Sequence, residues 1–328
     1  MESKSMESAK SEKTFLKGDP QRAVPYMILA ILIVVLSISS KNFLQVSTFR
    51  NLFQSVAATG IVAVGAMFVL ITGGIDFTAG YGLATAAVSA GALYVALGRN
   101  VWALLITGIL VGTLIGVVNG LIISKLKVPP FITTLAMMSV LQGMALFISE
   151  GRQVLIKEPA TLFIGQGVLF GWLPFGFVIF LVVCLIGYLI LNRTKMGVYV
   201  YAMGGNENAA VYAGVDVAHY KFLVYVFAGF CTGIAAVVSC SRVALVSSSI
   251  SSDILMDAIS SAIIGGTSSS GGKGTIQGTI CGVLIMGLIS TALTYLNVDT
   301  LLRDVVKGLV IIGALMIDAA VNKAGSDK

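Results

Sequence analysis

Long apolar runs without charge alternate along the chain with short polar segments. Most of the runs reach the ~20 residues that a helix needs to cross about 30 Å of hydrocarbon. Counting them predicts ten membrane spans, at residues 23–40, 51–75, 77–98, 101–124, 128–149, 173–192, 222–241, 258–272, 275–298 and 301–320. Two spans are less regular, because 258–272 is short and 301–320 opens with Arg303, Asp304 and Lys307. The pattern predicts an all-α polytopic membrane protein.

Composition agrees with lipid as the main solvent of this chain. Charged residues make up 11% of it and hydrophobic residues 57%, whereas soluble proteins carry about 25% charged residues. The basic residues behind the net charge of +6 flank the spans and form no single patch, so nothing indicates nucleic-acid binding. Four cysteines lie in apolar runs and are expected to pack there. With His219 as the single histidine, neither a metal site nor a catalytic site is predicted.

The charge pattern predicts the orientation of the spans. Residues 1–22 are polar, with several lysines ahead of the first apolar run, and are expected to form a cytoplasmic tail before a retained first span. An even number of spans then returns the C-terminal tail, residues 322–328, to the cytoplasm. The membrane domain is predicted to cover residues 23–321, and its main polar connection, 193–221, is placed on the cytoplasmic side.

This polar loop, 193–221, is predicted to contain a short docking helix. Asn206 is a good N-cap, Glu207 suits the helix dipole, and Gly214 stops the helix after Ala213. Because two turns are not stable alone in water, such a helix makes sense when it is docked against a partner.

Two glycine-rich segments resemble each other. Residues 73–82 (GGIDFTAGYG) and 265–274 (GGTSSSGGKG) share four glycine positions, and each ends one span and opens the next. The 192-residue offset covers six spans, so the repeat is predicted to be parallel. The segments either line a pathway or form tight interhelical turns, and the sequence leaves both open. The second segment imitates a phosphate-binding loop but lacks its first glycine and its final Ser or Thr, so ATP is not expected to bind this chain.

Several polar residues inside or beside the spans are candidates for a pathway or gate. Carboxylates at membrane depth are costly and need a partner or water. Asp76 has N-capping of the third span as its alternative role, and Arg242 is a possible partner for Asp257. Asn119 and Gln142 either face a polar interior or bond to a neighbouring helix. The full set of candidates is Gly73, Gly74, Asp76, Asn119, Gln142, Asp257, Gly265 and Gly266.

Several segments, in register over about residues 25–320, resemble the permease subunits of ribose-type sugar ABC importers. They are LITGGIDFTAG (70–80), VPPFITTLAMMSVLQGMAL (128–146), YAMGGNENAAVYAGVDV (201–217), DAISSAIIGGTSSSGGKGTIQGTICG (257–282) and VVKGLVIIGALMID (305–318). One position departs from the family pattern, because Leu255 stands where an acidic residue is usual.

The resemblance implies a fold of the vitamin B12-importer type (type II). It implies a second permease copy or paralogue, cytoplasmic subunits that hold ATP and Mg, and an extracytoplasmic sugar-binding protein. In this family the polar loop carries the coupling helix that docks on the ATPase. By position that role falls on Gly205, Asn206, Glu207, Ala209, Ala210 and Gly214.

Together with this resemblance, the sequence predicts a bacterial inner-membrane permease subunit, itself not an enzyme, that moves a ribose-like monosaccharide by alternating access. The rival hypothesis is a secondary sugar transporter or facilitator driven by an ion gradient. That rival needs intramembrane carboxylates as ion sites, and only Asp76 and Asp257 are available. It also leaves the coupling-helix loop unexplained.

Overall fold

The computed structural model describes residues 20–39, 43–249, 252–296, 298–299, 302–303, 305–313 and 316. Most of the predicted tails, residues 1–19 and 322–328, and parts of the predicted span 301–320 lie outside this set. In chain order the helices are α1 (Pro20–Ser39), α2 (Val46–Ile71), α3 (Ala79–Ala96), α4 (Val101–Lys125), α5 (Pro130–Ser149), α6 (Pro159–Gln166), α7 (Phe175–Arg193), α8 (Lys195–Gly205), α9 (Glu207–Tyr212), α10 (Val217–Val243), α11 (Ser252–Ile264) and α12 (Ile276–Tyr295). A further helical segment covers 305–313.

Seven helices within the described ranges are long and apolar enough to cross a membrane: α2, α3, α4, α5, α7, α10 and α12. Each matches one predicted span to within a few residues. The predicted span 258–272 differs, because α11 has 13 residues and ends at Ile264, where Gly265 and the left-handed Gly266 follow. The prediction of an all-α polytopic protein is confirmed.

The few strands are short and lie in the connections. β1 (Val154–Leu155) pairs antiparallel with β4 (Leu245–Val246). β2 (Val168–Leu169) and β3 (Leu173–Pro174) form a small hairpin. Together with α6, these strands connect the spanning helices at one end of the bundle.

The helices α2 and α10 form the centre of the bundle. They are buried over most of their length, as expected for helices that are apolar on all sides. In contrast, α4, α5 and α7 expose many large apolar side chains, which suits contact with lipid. The four cysteines are buried and free of disulfides, so the prediction that they pack in the apolar interior is confirmed.

Glycines bring α4 and α10 into backbone contact. A Cβ atom on Gly112 would stand 2.5 Å from the Cα atom of Gly233, and one on Gly116 would stand 3.0 Å from the Cα atom of Gly229. Small residues allow such close approach between membrane helices. The glycine spacing in the fourth span therefore serves packing.

Candidate functional site

The two glycine-rich breaks lie against each other. One break joins α2 to α3, the other joins α11 to α12, and the Gly272 backbone N–H donates to the Ile71 carbonyl at 2.8 Å. Gly73 and Gly271 have φ angles of +77° and +90°, which favour glycine. A Cβ atom on Gly271 would stand 3.0 Å from the Gly73 nitrogen. The two breaks are therefore in direct backbone-to-backbone contact.

The end of α8 completes this contact. A Cβ atom on Gly204 would stand 2.7 Å from the Gly272 nitrogen, and one on Gly272 would stand 3.1 Å from the Gly205 Cα atom. The Tyr201 hydroxyl donates to the Gly274 carbonyl at 2.7 Å. We call this meeting point of three segments the glycine junction; its residues are Gly73, Gly204, Gly205, Gly271 and Gly272.

The other candidate glycines shape the turns around the junction. The Tyr225 hydroxyl fills the space beside Gly74, at 2.7 Å from where a Cβ atom would stand. Gly265 packs on the backbone of Gly278 in α12. Gly266 adopts a φ angle of +88° with open space around it. These three residues therefore lie in the tight turns at the ends of α2 and α11.

The predicted short helix is present directly after the junction. The Asn206 side chain accepts a hydrogen bond from the Ala209 backbone N–H at 3.0 Å, so the N-cap prediction is confirmed. The helix α9 ends at Tyr212, one residue earlier than predicted, and Gly214 follows with a φ angle of +82°. Glu207 forms an ion pair with Lys221 of α10 at 2.7 Å, which ties the helix to the bundle.

The orientation of α9 shows which of its side chains face outward. Ala210 is 4% exposed and faces the bundle, so it does not lie on the surface that a partner would meet. The outward side carries Tyr212, which is 91% exposed, and Val211. Tyr212 was not among the predicted residues, although an aromatic residue in a polar loop was an available signal. A helix of six residues is too short for periodicity to fix its faces.

Asp76 and Asn119 belong to one buried group of polar side chains. The Asp76 carboxylate accepts from the backbone N–H and the hydroxyl of Thr78, just before α3 begins. The Asn119 amide donates to the Thr78 hydroxyl at 2.9 Å. Burial raises the pKa of the Asp76 carboxyl, and the hydrogen bonds from Thr78 oppose that rise. Among the described residues, the Asn119 Oδ1 atom and the buried Tyr225 hydroxyl have no hydrogen-bond partner.

Asp257 lies toward the other end of the bundle. Its carboxylate pairs with Lys307 at 2.8 Å, a partner that the sequence analysis did not name. Both residues line a cavity of about 310 Å³, and Arg242, the proposed partner, lines the same cavity. Leu255 is 6% exposed, so its side chain packs in the core.

Gln142 is exposed on α5 and does not face the interior of this chain. Ser139 and Gly143 are exposed on the same helix. This polar strip contrasts with the exposed apolar residues of the same helix, among them Phe131, Val140 and Phe147.

Comparison with known proteins identifies one matching family and several similar permeases. The family described as "Branched-chain amino acid transport system / permease component" matches residues 48–315. The ribose import permease protein RbsC of Bacillus subtilis is 34% identical over 92% of this chain and 94% of its own. The D-allose transport system permease protein AlsC of Escherichia coli is 33% identical over 91% of each chain. The L-arabinose ABC transporter permease protein AraH of Azospirillum brasilense is 35% identical over 89% of this chain and 86% of its own.

No solved structure matches the chain. The family match covers most of the sequence, and the curated relatives are similar over nearly their whole length. With seven apolar helices among the described residues, the chain is a multi-pass membrane protein. It belongs to the family of transport-system permease components that includes the permeases of ABC sugar importers.

Proposed function

We propose that this chain is the membrane subunit of an ATP-driven importer that moves a ribose-like monosaccharide, a pentose or hexose, across the bacterial inner membrane. The observation that carries the proposal is the position of α9. A short capped helix within the polar loop follows directly after the point where two glycine-rich breaks of the bundle meet. Relatives named as ribose, allose and arabinose permeases support a sugar as the substrate.

The partner that binds α9 is a cytoplasmic ATPase subunit, which holds the ATP and Mg. Tyr212 and Val211 provide its contact surface, because they are the large side chains that α9 exposes. Asn206 and Gly214 fix the ends of the helix, while the Glu207–Lys221 pair attaches it to α10. Ala210 is buried between α9 and the bundle, where its small side chain lets α9 pack close to the bundle.

Movement of α9 passes to the bundle through the glycine junction. Gly204 and Gly205 precede α9 directly and contact Gly272 through backbone atoms. Since packed interfaces shift between discrete arrangements, a displacement of α9 must move the breaks at the ends of α2 and α11. ATP, held by the ATPase subunit, then shifts the equilibrium between two states of the assembly, because it binds those two states with different affinities.

The pathway is formed between two permease copies, whether identical or related. Gln142 and Ser139 are polar positions on an exposed membrane helix, and an amide in hydrocarbon without a hydrogen-bond partner is costly. A second permease facing α5 would cover this strip and create a wall of neutral hydrogen-bonding groups. Such a wall suits an uncharged sugar.

The remaining architecture follows the family. We infer ten spans in a type II arrangement, with both termini in the cytoplasm. The cavity near Asp257 then lies toward the outer side, where an extracytoplasmic sugar-binding protein delivers the substrate. Asp257 and Lys307 join α11 to the helical segment 305–313 at that side.

The test is substitution of Tyr212 in the permease purified with its ATPase subunit. Tyr212→Asp places a charge on the 91% exposed position, so we expect it to abolish ATP-driven uptake while the permease stays folded in the membrane. Tyr212→Phe keeps the ring and should restore most of the uptake. Uptake by the Asp variant at the wild-type rate would contradict the proposal, and transport by the permease alone without ATP would indicate a secondary transporter.

A further inference from the structure

Aromatic side chains project from the short hairpin between α6 and α7. Phe170 at its tip is 87% exposed, and Trp172 and Phe163 are about half exposed. Large exposed apolar groups that cluster in this way mark a contact surface. The proposed coupling and pathway residues include none of them.

This surface is continuous with a side of the bundle that faces lipid. The Phe163 ring packs against the Phe175 ring in a tilted arrangement, with centroids 5.2 Å apart, and Phe175 is the first residue of α7. Further along, α7 exposes Leu181, Leu185 and Leu189. The chain carries no charged residue from Pro159 to Asn192, so the hairpin and the spanning helix share one uncharged stretch.

The length of α7 places the hairpin at the edge of the hydrocarbon. Its 19 residues extend about 28 Å at 1.5 Å per residue, close to the ~30 Å of the hydrocarbon core. The hairpin precedes α7 immediately and therefore lies at the boundary on the side away from α9. Amphipathic aromatic rings such as tryptophan favour that depth.

Hydrogen bonds satisfy several polar groups in and beside the hairpin. The Trp172 N–H donates to the Leu169 carbonyl at 3.2 Å, and the Phe175 N–H donates to the Gly167 carbonyl at 2.8 Å. The Gln166 side chain donates to the Arg242 carbonyl at 3.0 Å. Since unpaired polar groups are costly in lipid, these bonds lower the cost of placing the hairpin next to the bilayer.

We propose that the hairpin tip, formed by Phe170, Gly171 and Trp172, inserts into the membrane leaflet opposite the coupling helix and anchors the start of α7 there. The occupant of this surface is lipid and not a protein partner. This inference requires only that the protein spans the membrane. It does not depend on which sugar is transported or on where the transport pathway lies.

Tryptophan fluorescence tests the proposal directly, because the chain has two tryptophans, Trp102 and Trp172. Trp102→Phe leaves Trp172 as the single reporter. The purified permease, without other proteins, is reconstituted in phosphatidylcholine vesicles with brominated acyl chains. We expect blue-shifted emission, quenching by the brominated lipid and loss of quenching by aqueous iodide.

The Phe170 position offers a matched pair of variants in the same background. Phe170 has a φ angle of +53°, a left-handed conformation that aspartate tolerates, so Phe170→Asp changes polarity without forcing the turn to rearrange. That variant should shift the Trp172 emission to the red and restore iodide quenching. Phe170→Leu should keep the Trp172 signal in lipid. An unchanged thermal unfolding midpoint confirms that both variants are folded.

Two results would overturn the proposal. One is Trp172 open to iodide and untouched by brominated lipid in the vesicles. The other is Trp172 shielded only after the extracytoplasmic binding protein is added, which would make the hairpin a protein-docking site. Neither result bears on ATP-driven uptake, so failure here is distinguishable from failure of the proposed function.

Discussion

Gly204 is the residue at which the glycine junction can be perturbed most cleanly. A methyl group there would overlap the Ile71 carbonyl oxygen and stand 2.7 Å from the Gly272 nitrogen. Ordinary contact begins at 3.4 Å, so α8 must move about 0.7 Å away from Gly272, and farther from the Ile71 carbonyl oxygen, before the methyl group fits. The same nitrogen donates to the Ile71 carbonyl at 2.8 Å. Because the methyl group would press on both of these atoms, we expect it to break that hydrogen bond.

The expected cost of Gly204→Ala follows from these two effects. Overpacking costs about 1–3 kcal/mol and loss of a hydrogen bond about 0.5–1.5 kcal/mol. We therefore expect the free energy of unfolding in mild detergent to fall by about 2–4 kcal/mol. ATP-driven uptake should fall sharply at temperatures where the variant is still folded, because the contact between α8 and the breaks transmits the movement.

The neighbouring Gly205 supplies the control. A Cβ atom on Gly205 would meet no atom within 4 Å, so Gly205→Ala should keep both stability and uptake close to the wild type. The two substitutions have the same chemistry and are adjacent in the chain. If Gly204→Ala and Gly205→Ala behaved alike in unfolding and in uptake, the close contact at the junction would be refuted.

Two further predictions concern packing and the buried polar group. Gly116→Ala should lower the free energy of unfolding by about 1–3 kcal/mol, because the added Cβ atom would meet the backbone of α10. Gly143→Ala on α5, where a Cβ atom has open space around it, should leave the free energy of unfolding unchanged or raise it by up to about 1 kcal/mol through helix propensity. Equal effects of the two substitutions in chemical denaturation would contradict the α4–α10 contact. Thr78→Val removes the hydroxyl that links Asp76 and Asn119 and should cost about 1.5–3 kcal/mol, while Thr78→Ser should recover most of the loss in the same assay.

Hydropathy was enough to predict most of the spanning helices but not where α11 ends. The fourth span, predicted at 101–124, is α4 at Val101–Lys125, because a long apolar run has few ways to satisfy its backbone in lipid except as a helix. The span predicted at 258–272 ends at Ile264. Glycines count as weakly apolar in a hydropathy sum, yet the chain reverses through Gly266 in a left-handed conformation.

The candidate site was predicted only where local chemistry decides the structure. The Asn206 cap depends on neighbouring residues, and the sequence shows it. Whether Asn119 is buried while Gln142 is exposed depends on which helices surround them, because both are amides inside apolar runs. The contact of the two glycine breaks with Gly204 arises from tertiary packing, and no local pattern specifies it.

The length of the helix α10 has a consequence for movements of the whole molecule. It begins beside α9, where Lys221 pairs with Glu207, and ends at the opposite side, where the Arg242 carbonyl accepts from Gln166. Its 27 residues give a length of about 40 Å. Because α10 is a single helix along this length, it connects the two ends of the bundle directly. A tilt of about 5° at one end would move the other by roughly 3.5 Å over that length, which is enough to open or close a gap the size of a sugar hydroxyl.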